Sequence, residues 1–159
     1  MGTRSTYRVI ERGVHEGKKW ENKLVLVYLQ YDGYPSGHPS TTAEWLASGT
    51  VVNGLGVDKP TSLIFNGAKC LAAQLVAELK DGPGGTYLYP MQDRGKCGED
   101  YTYDIIVEYD GKDEDGRDKY KITFVAYDVR GGWGNKPLRF VKMYSGTPEG
   151  FKAYVESEQ

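Results

Sequence analysis

The fold is decided by a strand whose sequence reads Leu24-Val25-Leu26-Val27-Tyr28-Leu29-Gln30-Tyr31. Its nearly continuous apolar character predicts a central strand that is covered on both faces. The preceding segment, residues 5–11, alternates polar and apolar side chains, with Tyr7 and Val9 on one side. A stretch rich in Gly and Lys separates the two segments, so we expect them to pair as an antiparallel hairpin.

Helix signals follow this hairpin. Two Gly and two Pro residues in 32–39 predict a shaped loop. Thr41, with Glu44 three residues later, has the pattern of a capping box for a first helix. An apolar stripe of 3.6-residue period predicts a second helix over residues 67–80. A third helix is expected over 147–155, because Pro148 suits its first turn.

The second half of the chain has the patterns of β-strands. Alternating, β-branched or aromatic residues predict strands over 86–90, 101–109, 119–129 and 138–144. We therefore expect a single α+β domain over residues 1–159. It would be a mainly antiparallel sheet of about six strands with two or three helices packed on it.

Composition limits the classes of partner. The 159 residues include 20 Lys and Arg against 22 Asp and Glu, a net charge of −2. Without a general basic field, we do not expect binding of long nucleic acid through its phosphates. No apolar run approaches the ~18 residues that a membrane span needs, and the N-terminus has no signal-peptide pattern. Two cysteines in unlike surroundings predict free thiols and a cytoplasmic protein.

Catalytic and metal-binding patterns are weak, so we expect no enzyme activity, no cofactor and no metal. The acidic residues in 110–118 are flanked by predicted strands rather than by the helices of a calcium loop. Cys97 lies beside Lys96 and would need a base to act as a nucleophile. His38 precedes Pro39-Ser40 as in one half of a two-histidine phosphoesterase site, but the second half is missing. A nucleophilic pair would require Cys97 and His38 to meet in space.

Aromatic and arginine residues in the loops favour a flat anionic ligand. Tyr31 and Tyr34 bracket a turn, Trp133 follows Arg130, and Arg4 and Arg139 lie near predicted strand ends. An aromatic ring stacks on a planar base, and a guanidinium group binds phosphate through two parallel donors. The glycine-rich loops 53–56 and 130–135 are interpreted as turns, with an anion-binding nest as the alternative.

Several runs resemble those of a widespread family of small phage and prophage proteins. They cover roughly residues 1–105 and are, in chain order, Met1-Gly2-Thr3-Arg4-Ser5, Gln30-Tyr31-Asp32-Gly33-Tyr34-Pro35-Ser36-Gly37-His38, Val52-Asn53-Gly54-Leu55-Gly56, Asn66-Gly67, Cys70-Leu71-Ala72-Ala73-Gln74-Leu75-Val76-Ala77, Lys80-Asp81-Gly82-Pro83-Gly84-Gly85-Thr86-Tyr87-Leu88-Tyr89-Pro90 and Cys97-Gly98-Glu99. The part after about residue 110 has no recognised counterpart.

This family resembles the viral sponge proteins that capture cyclic-nucleotide signals of bacterial defence systems such as CBASS. The resemblance implies a homo-oligomer that evades immunity inside an infected bacterium by enclosing a cyclic nucleotide without cleaving it. Our hypothesis for the site follows the chemistry of its side chains: Arg4 and Arg139 hold phosphates, Tyr31, Tyr34 and Trp133 stack on bases, and Thr3, Ser5 and Asn66 provide hydrogen bonds. The alternatives are an inhibitor or adaptor that binds a host protein and, third, a nucleotide phosphodiesterase.

Overall fold

The computed structural model describes residues 2–54 and 62–158. In this part of the chain the elements follow the order ββαββαββββα. The strands are β1 (Ser5–His15), β2 (Lys18–Leu29), β3 (Thr50–Val52), β4 (Ile64–Asn66), β5 (Thr86–Tyr89), β6 (Tyr101–Lys112), β7 (Asp118–Arg130) and β8 (Arg139–Gly146); the helices are α1 (His38–Ala47), α2 (Gly67–Leu79) and α3 (Pro148–Ser157). A 3-10 turn covers Met91–Asp93.

One six-stranded sheet organises the molecule, in the order β5-β2-β1-β6-β7-β8. The pairing of β1 with β2 is antiparallel, as expected, and so are the pairs β2–β5, β6–β7 and β7–β8. The pair β1–β6 is parallel and aligns Ser5 with Tyr101. The structure confirms the predicted α+β class, with its mainly antiparallel sheet and three helices.

The inner face of the sheet, which carries the helices, holds the main core. Tyr7 and Val9 of β1, Tyr103 of β6 and Phe124 of β7 are fully buried on this face. All three helices contribute buried apolar residues to the same cluster, among them Phe151 of α3. Because odd-numbered residues of β1 and β6 share this face, the alternation of side chains in the sequence reflects a real difference in burial.

The outer face of the sheet has its own cover. Ile10, Ile106 and Val125 form a small buried cluster there. Residues 90–100 cross the same face, where Glu99 accepts a hydrogen bond from Thr6 at 2.9 Å. Burial on both faces explains the nearly continuous apolar run of β2, in which residues 26–29 are all buried.

Three local predictions need correction. The first helix begins at His38 rather than near Thr41, and its N-terminus has no side-chain cap. The strands β1 and β2 extend to a tight connection at residues 16–17, beyond the predicted segments. The short parallel pair β3–β4 was not predicted, because three-residue strands have too little periodicity to detect.

The C-terminal helix begins as predicted. The Thr147 hydroxyl accepts a hydrogen bond from the Gly150 amide at 3.0 Å, and Pro148 occupies the first turn. Within the described ranges, no helix is long and apolar enough to cross a membrane.

Candidate functional site

An open groove of about 940 Å³ lies at the end of the sheet where β7 leads into β8. One side is formed by residues 94–100, here called the wall loop, and the other by residues 131–138, here called the hairpin loop. Val129 lies between them. The Asp100 amide donates to the carbonyl of Arg4 at 2.9 Å and attaches the wall loop to the start of β1, whereas the hairpin loop joins β7 to β8.

The hairpin loop holds Trp133 toward solvent. The Gly132 amide donates to the carbonyl of Lys136 at 3.0 Å, and the Lys136 amide donates to the carbonyl of Trp133 at 3.1 Å. These bonds close a tight turn, yet 63% of Trp133 is exposed. The ammonium of Lys136 lies 5.6 Å from the centre of the indole. The turn fixes the backbone of Trp133, and an exposed aromatic ring beside a cation offers an apolar face to a ligand.

The wall loop is shaped by its own carboxylate. Glu99 is 5% exposed. Its Oε2 accepts from the Thr6 hydroxyl at 2.9 Å and from the Gly95 amide at 3.0 Å, and its Oε1 accepts from the Cys97 amide at 2.9 Å. The carboxylate is therefore fully engaged inside the loop, and it holds the loop against β1.

Cationic side chains surround the groove. Lys96, Lys136 and Arg139 line it, and so does Arg130, which is paired with Asp128 at 3.0 Å. Arg4 lies beside the wall loop: its Nη1 would be 2.7 Å from a β-carbon at Gly98, whose φ of 75° favours glycine. The exposed Asp100 accepts from the Arg4 amide at 3.2 Å.

Arg4 and Arg139 lie at the same end of the sheet. The Asp100 amide donates to the carbonyl of Arg4, and the Val129 amide donates to the carbonyl of Asp100, both at 2.9 Å. Val129 in turn pairs with Phe140, next to Arg139. Three strand spacings, about 15 Å, therefore separate the backbones of Arg4 and Arg139.

Four further predicted residues lie at this end of the sheet but not in the groove. The Gly33 amide donates to the carbonyl of Thr3 at 3.0 Å, which brings the N-terminal segment against the loop that carries Tyr31 and Tyr34. Those two rings are 56% and 41% exposed. The Ser5 hydroxyl is fully buried, and its oxygen lies 3.3 Å from Nε2 of His38. Ser5 therefore serves the inner face rather than the groove.

Asn66 lies far from the groove. Its Oδ1 accepts from the Gly54 amide at 2.8 Å, and the neighbouring Asn53 donates to Asp118 at 3.1 Å. Asp118 begins β7 and Arg130 ends it, a length of 13 residues or about 40 Å. The structure thus places Trp133 and Arg139 in the lining of the groove and Arg4 beside its wall loop at Gly98, whereas Asn66 lies far from all three. Of the loop 53–56, Leu55 and Gly56 lie outside the described residues.

His38 and Cys97 do not meet. Nδ1 of His38 lies 2.8 Å from the Tyr7 hydroxyl on the inner face, and burial lowers the pKa of His38 to about 4, against the opposing effect of Asp32. Cys97 lies in the wall loop on the outer face, where its thiol donates to the carbonyl of Asp93 at 3.2 Å. Burial, with smaller contributions from Glu99 and Asp93, raises the pKa of this thiol to about 12.

The described residues contain no group of three or more His, Cys, Asp or Glu side chains that could hold a metal ion. In the acidic turn, Asp113 accepts from the amides of Asp115 and Arg117, both at 2.9 Å, so its carboxylate closes the turn.

Comparison of the chain with known protein families, with curated proteins and with solved structures finds no match. The resemblance to phage proteins therefore depends on the sequence runs quoted above.

Sequence reasoning missed Lys136, Lys96 and Glu99 as parts of the groove. A lysine three residues after an exposed tryptophan was a local signal for the first, whereas nothing local marks Glu99 as buried.

Proposed function

We propose that the groove binds a flat anionic ligand of nucleotide type and holds it without cleaving it. The observation that carries this proposal is Trp133, which is 63% exposed and held by a closed turn beside cationic side chains. Stacking on an indole contributes about 1–3 kcal/mol per base, which favours fixing such a ring at a binding site.

The size and the charge of the groove suit a nucleotide-type ligand. A volume of about 940 Å³ lies within the range of small-molecule sites. Lys96, Lys136 and Arg139 can bind phosphate oxygens at three positions around the groove. Arg4 supplies a fourth cationic group beside the wall loop.

The best nucleophile and base candidates argue for binding rather than cleavage. The raised pKa of Cys97 keeps its thiol protonated at neutral pH. His38 is engaged by Tyr7 and Ser5 on the opposite face of the sheet. Neither group is arranged to attack a phosphodiester held in the groove.

The biological role that fits best is sequestration of a cyclic-nucleotide signal by a phage protein. The groove supports the ligand class, and the resemblance described above supports the role as an anti-defence sponge. Because a groove open to solvent releases its ligand readily, we include in the proposal a homo-oligomer in which a second subunit closes over the ligand.

The test is binding of a panel of cyclic di- and trinucleotides, measured by calorimetry, followed by denaturation and chromatography of the retained ligand. We expect intact ligand from the wild type and at least tenfold weaker binding by Trp133→Ala and Arg139→Gln. Trp20→Ala is the matched control, because Trp20 is also exposed, at 42%, but lies on the distant β1–β2 hairpin. Linear product would indicate a phosphodiesterase, and absence of binding by the whole panel would refute the proposal.

A second candidate function, inhibition of a host protein, is favoured by the edge strand β5. Tyr87, Leu88 and Tyr89 are 45%, 62% and 38% exposed there, and large exposed aromatic residues are common at protein interfaces. Stoichiometric capture of one host protein, lost in Leu88→Lys and unaffected by nucleotide, would support this candidate instead.

A further inference from the structure

Two guanidinium groups share one carboxylate on the outer face of the sheet. Nε and Nη2 of Arg8 donate to Oδ1 and Oδ2 of Asp104 at 2.9 and 2.7 Å. Nη2 of Arg94 lies 3.6 Å from the same Oδ2. Arg8 forms a bidentate salt bridge with Asp104. The charge of Arg94 is therefore only partly balanced by this carboxylate.

Arg94 is held in place although its hydrogen bonding is incomplete. Its guanidinium carbon lies 4.3 Å from the ring centre of Phe140 and 5.3 Å from that of Tyr127. The side chain is 13% exposed, and none of the residues described (2–54 and 62–158) accepts a hydrogen bond from its buried Nε. A buried N–H group without a partner is unusual in a folded protein, so this one calls for an explanation.

The other charged groups nearby are already engaged. Glu99 uses its two oxygens for Thr6, Gly95 and Cys97. Arg12 is paired with Glu21 at 2.8 Å. Burial lowers the pKa of Arg94, with Asp104 opposing this effect, but an arginine side chain remains charged in a protein.

We propose that Arg94, Arg8 and the Tyr127 hydroxyl form a binding site for one tetrahedral oxyanion, a phosphate or sulfate group, on the outer face of the sheet. The guanidinium carbon of Arg94 lies 5.3 Å from the ring centre of Tyr127, which brings the Tyr127 side chain against the arginine cluster. Arg8 and Arg94 are 15% and 13% exposed, so an anion would contact only the open side of the cluster. Although Arg94 begins the wall loop, none of Arg8, Arg94 and Tyr127 lines the groove, and this site does not depend on the function proposed for the groove.

The experiment is a titration of the protein with inorganic phosphate against sodium chloride of equal ionic strength. Phosphate binding is monitored through the arginine Nε–H signals in ¹H–¹⁵N spectra and through the melting temperature. We expect one Nε–H signal, absent from the spectrum of Arg94→Gln, to shift saturably with phosphate. The melting temperature of the wild type should rise with phosphate, and this rise should be lost in Arg94→Gln.

Arg117→Gln is the control, because it removes the same charge from the exposed β6–β7 turn. Tyr127→Phe removes only a hydroxyl and is expected to weaken phosphate binding by about threefold to tenfold, which keeps the proposal testable if Arg94→Gln does not fold. Trp133→Ala should respond to phosphate like the wild type, whereas it should lose nucleotide binding. A wild type that responds equally to phosphate and chloride, or an Arg94→Gln or Tyr127→Phe variant that binds phosphate as the wild type does, would overturn the proposal.

Discussion

The Nδ1 atom of His38 lies 2.8 Å from the hydroxyl oxygen of Tyr7, so the first residue of α1 is tied to the middle of the inner sheet face. The Tyr7 hydroxyl also donates to the Thr42 hydroxyl at 3.4 Å, one helical turn further on. These contacts attach the helix start to the sheet, and the His38 amide itself donates to the carbonyl of Asp32 at 3.1 Å.

Stability should fall as the pH drops from about 6.5 to about 4, because His38 has a pKa of about 4 when folded and an ordinary value when unfolded. In this window the unfolded state binds a proton that the folded state excludes. Full protonation of His38 should lower the free energy of unfolding by roughly 3 kcal/mol. Urea unfolding at pH 7.0, 5.5 and 4.0 measures it, and His38→Gln should show a correspondingly smaller loss toward pH 4. An identical pH dependence in this variant would contradict the prediction.

The hairpin loop should tolerate a methyl group at one glycine and not at another. Gly131 has a φ of 74°, and a β-carbon there would collide with the carbonyl oxygen of Pro137. Gly134 has a φ of 56° with nothing within 4 Å of an added β-carbon. We expect Gly131→Ala to lower the free energy of unfolding by about 2–4 kcal/mol and Gly134→Ala by about 1 kcal/mol. Only Gly131→Ala should also weaken ligand binding beside Trp133, and equal effects of the two changes would be inconsistent with the loop geometry.

The thiol of Cys97 should react slowly with iodoacetamide. Its raised pKa, about 12, leaves very little thiolate at pH 8. Measured in a Cys70→Ser background, the folded protein should be alkylated at least 100-fold more slowly than the same protein in urea, with the rate still rising above pH 9. Similar rates in both states would show that Cys97 is activated and would reopen the case for a nucleophile.

Helix α3 should be indispensable to the core. Phe151 is fully buried, and its ring centre lies 4.7 Å from that of Phe124 and 5.4 Å from that of Tyr144. Phe151→Ala should therefore cost about 3–5 kcal/mol. Lys152→Ala, next to it in the same helix, changes an exposed residue and should cost less than about 0.5 kcal/mol. Chemical denaturation of both variants tests this, and a small loss for Phe151→Ala would mean that α3 is dispensable.

Local patterns predicted much of the fold because they report local physics. The continuous apolar run of β2 reflects burial on both sheet faces, and α3 begins with Pro148 in its first turn, as predicted. The start of α1 was placed wrongly because its stabilising partners, Ser5 and Tyr7, are more than 30 residues away.

The candidate site was predictable only in part. Trp133 and Arg139 belong to one hairpin, so their neighbourhood follows from sequence alone. Asn66 has suitable chemistry but lies near the opposite end of β7. Glu99 and Arg94 were missed because a charged residue in a glycine-rich loop is ordinarily exposed, and their burial depends on Thr6 and Asp104 of other strands.

By itself, the sequence determined the helices, the longer strands and the residue types available in each loop, because periodicity and turn chemistry act over a few neighbouring residues. Only the tertiary structure decided which loops share a groove. The contact of Arg4 with Asp100 spans 96 residues and exists because β1 and β6 are adjacent and parallel. Such pairing depends on the free energy of the whole sheet, which no short stretch of chain encodes.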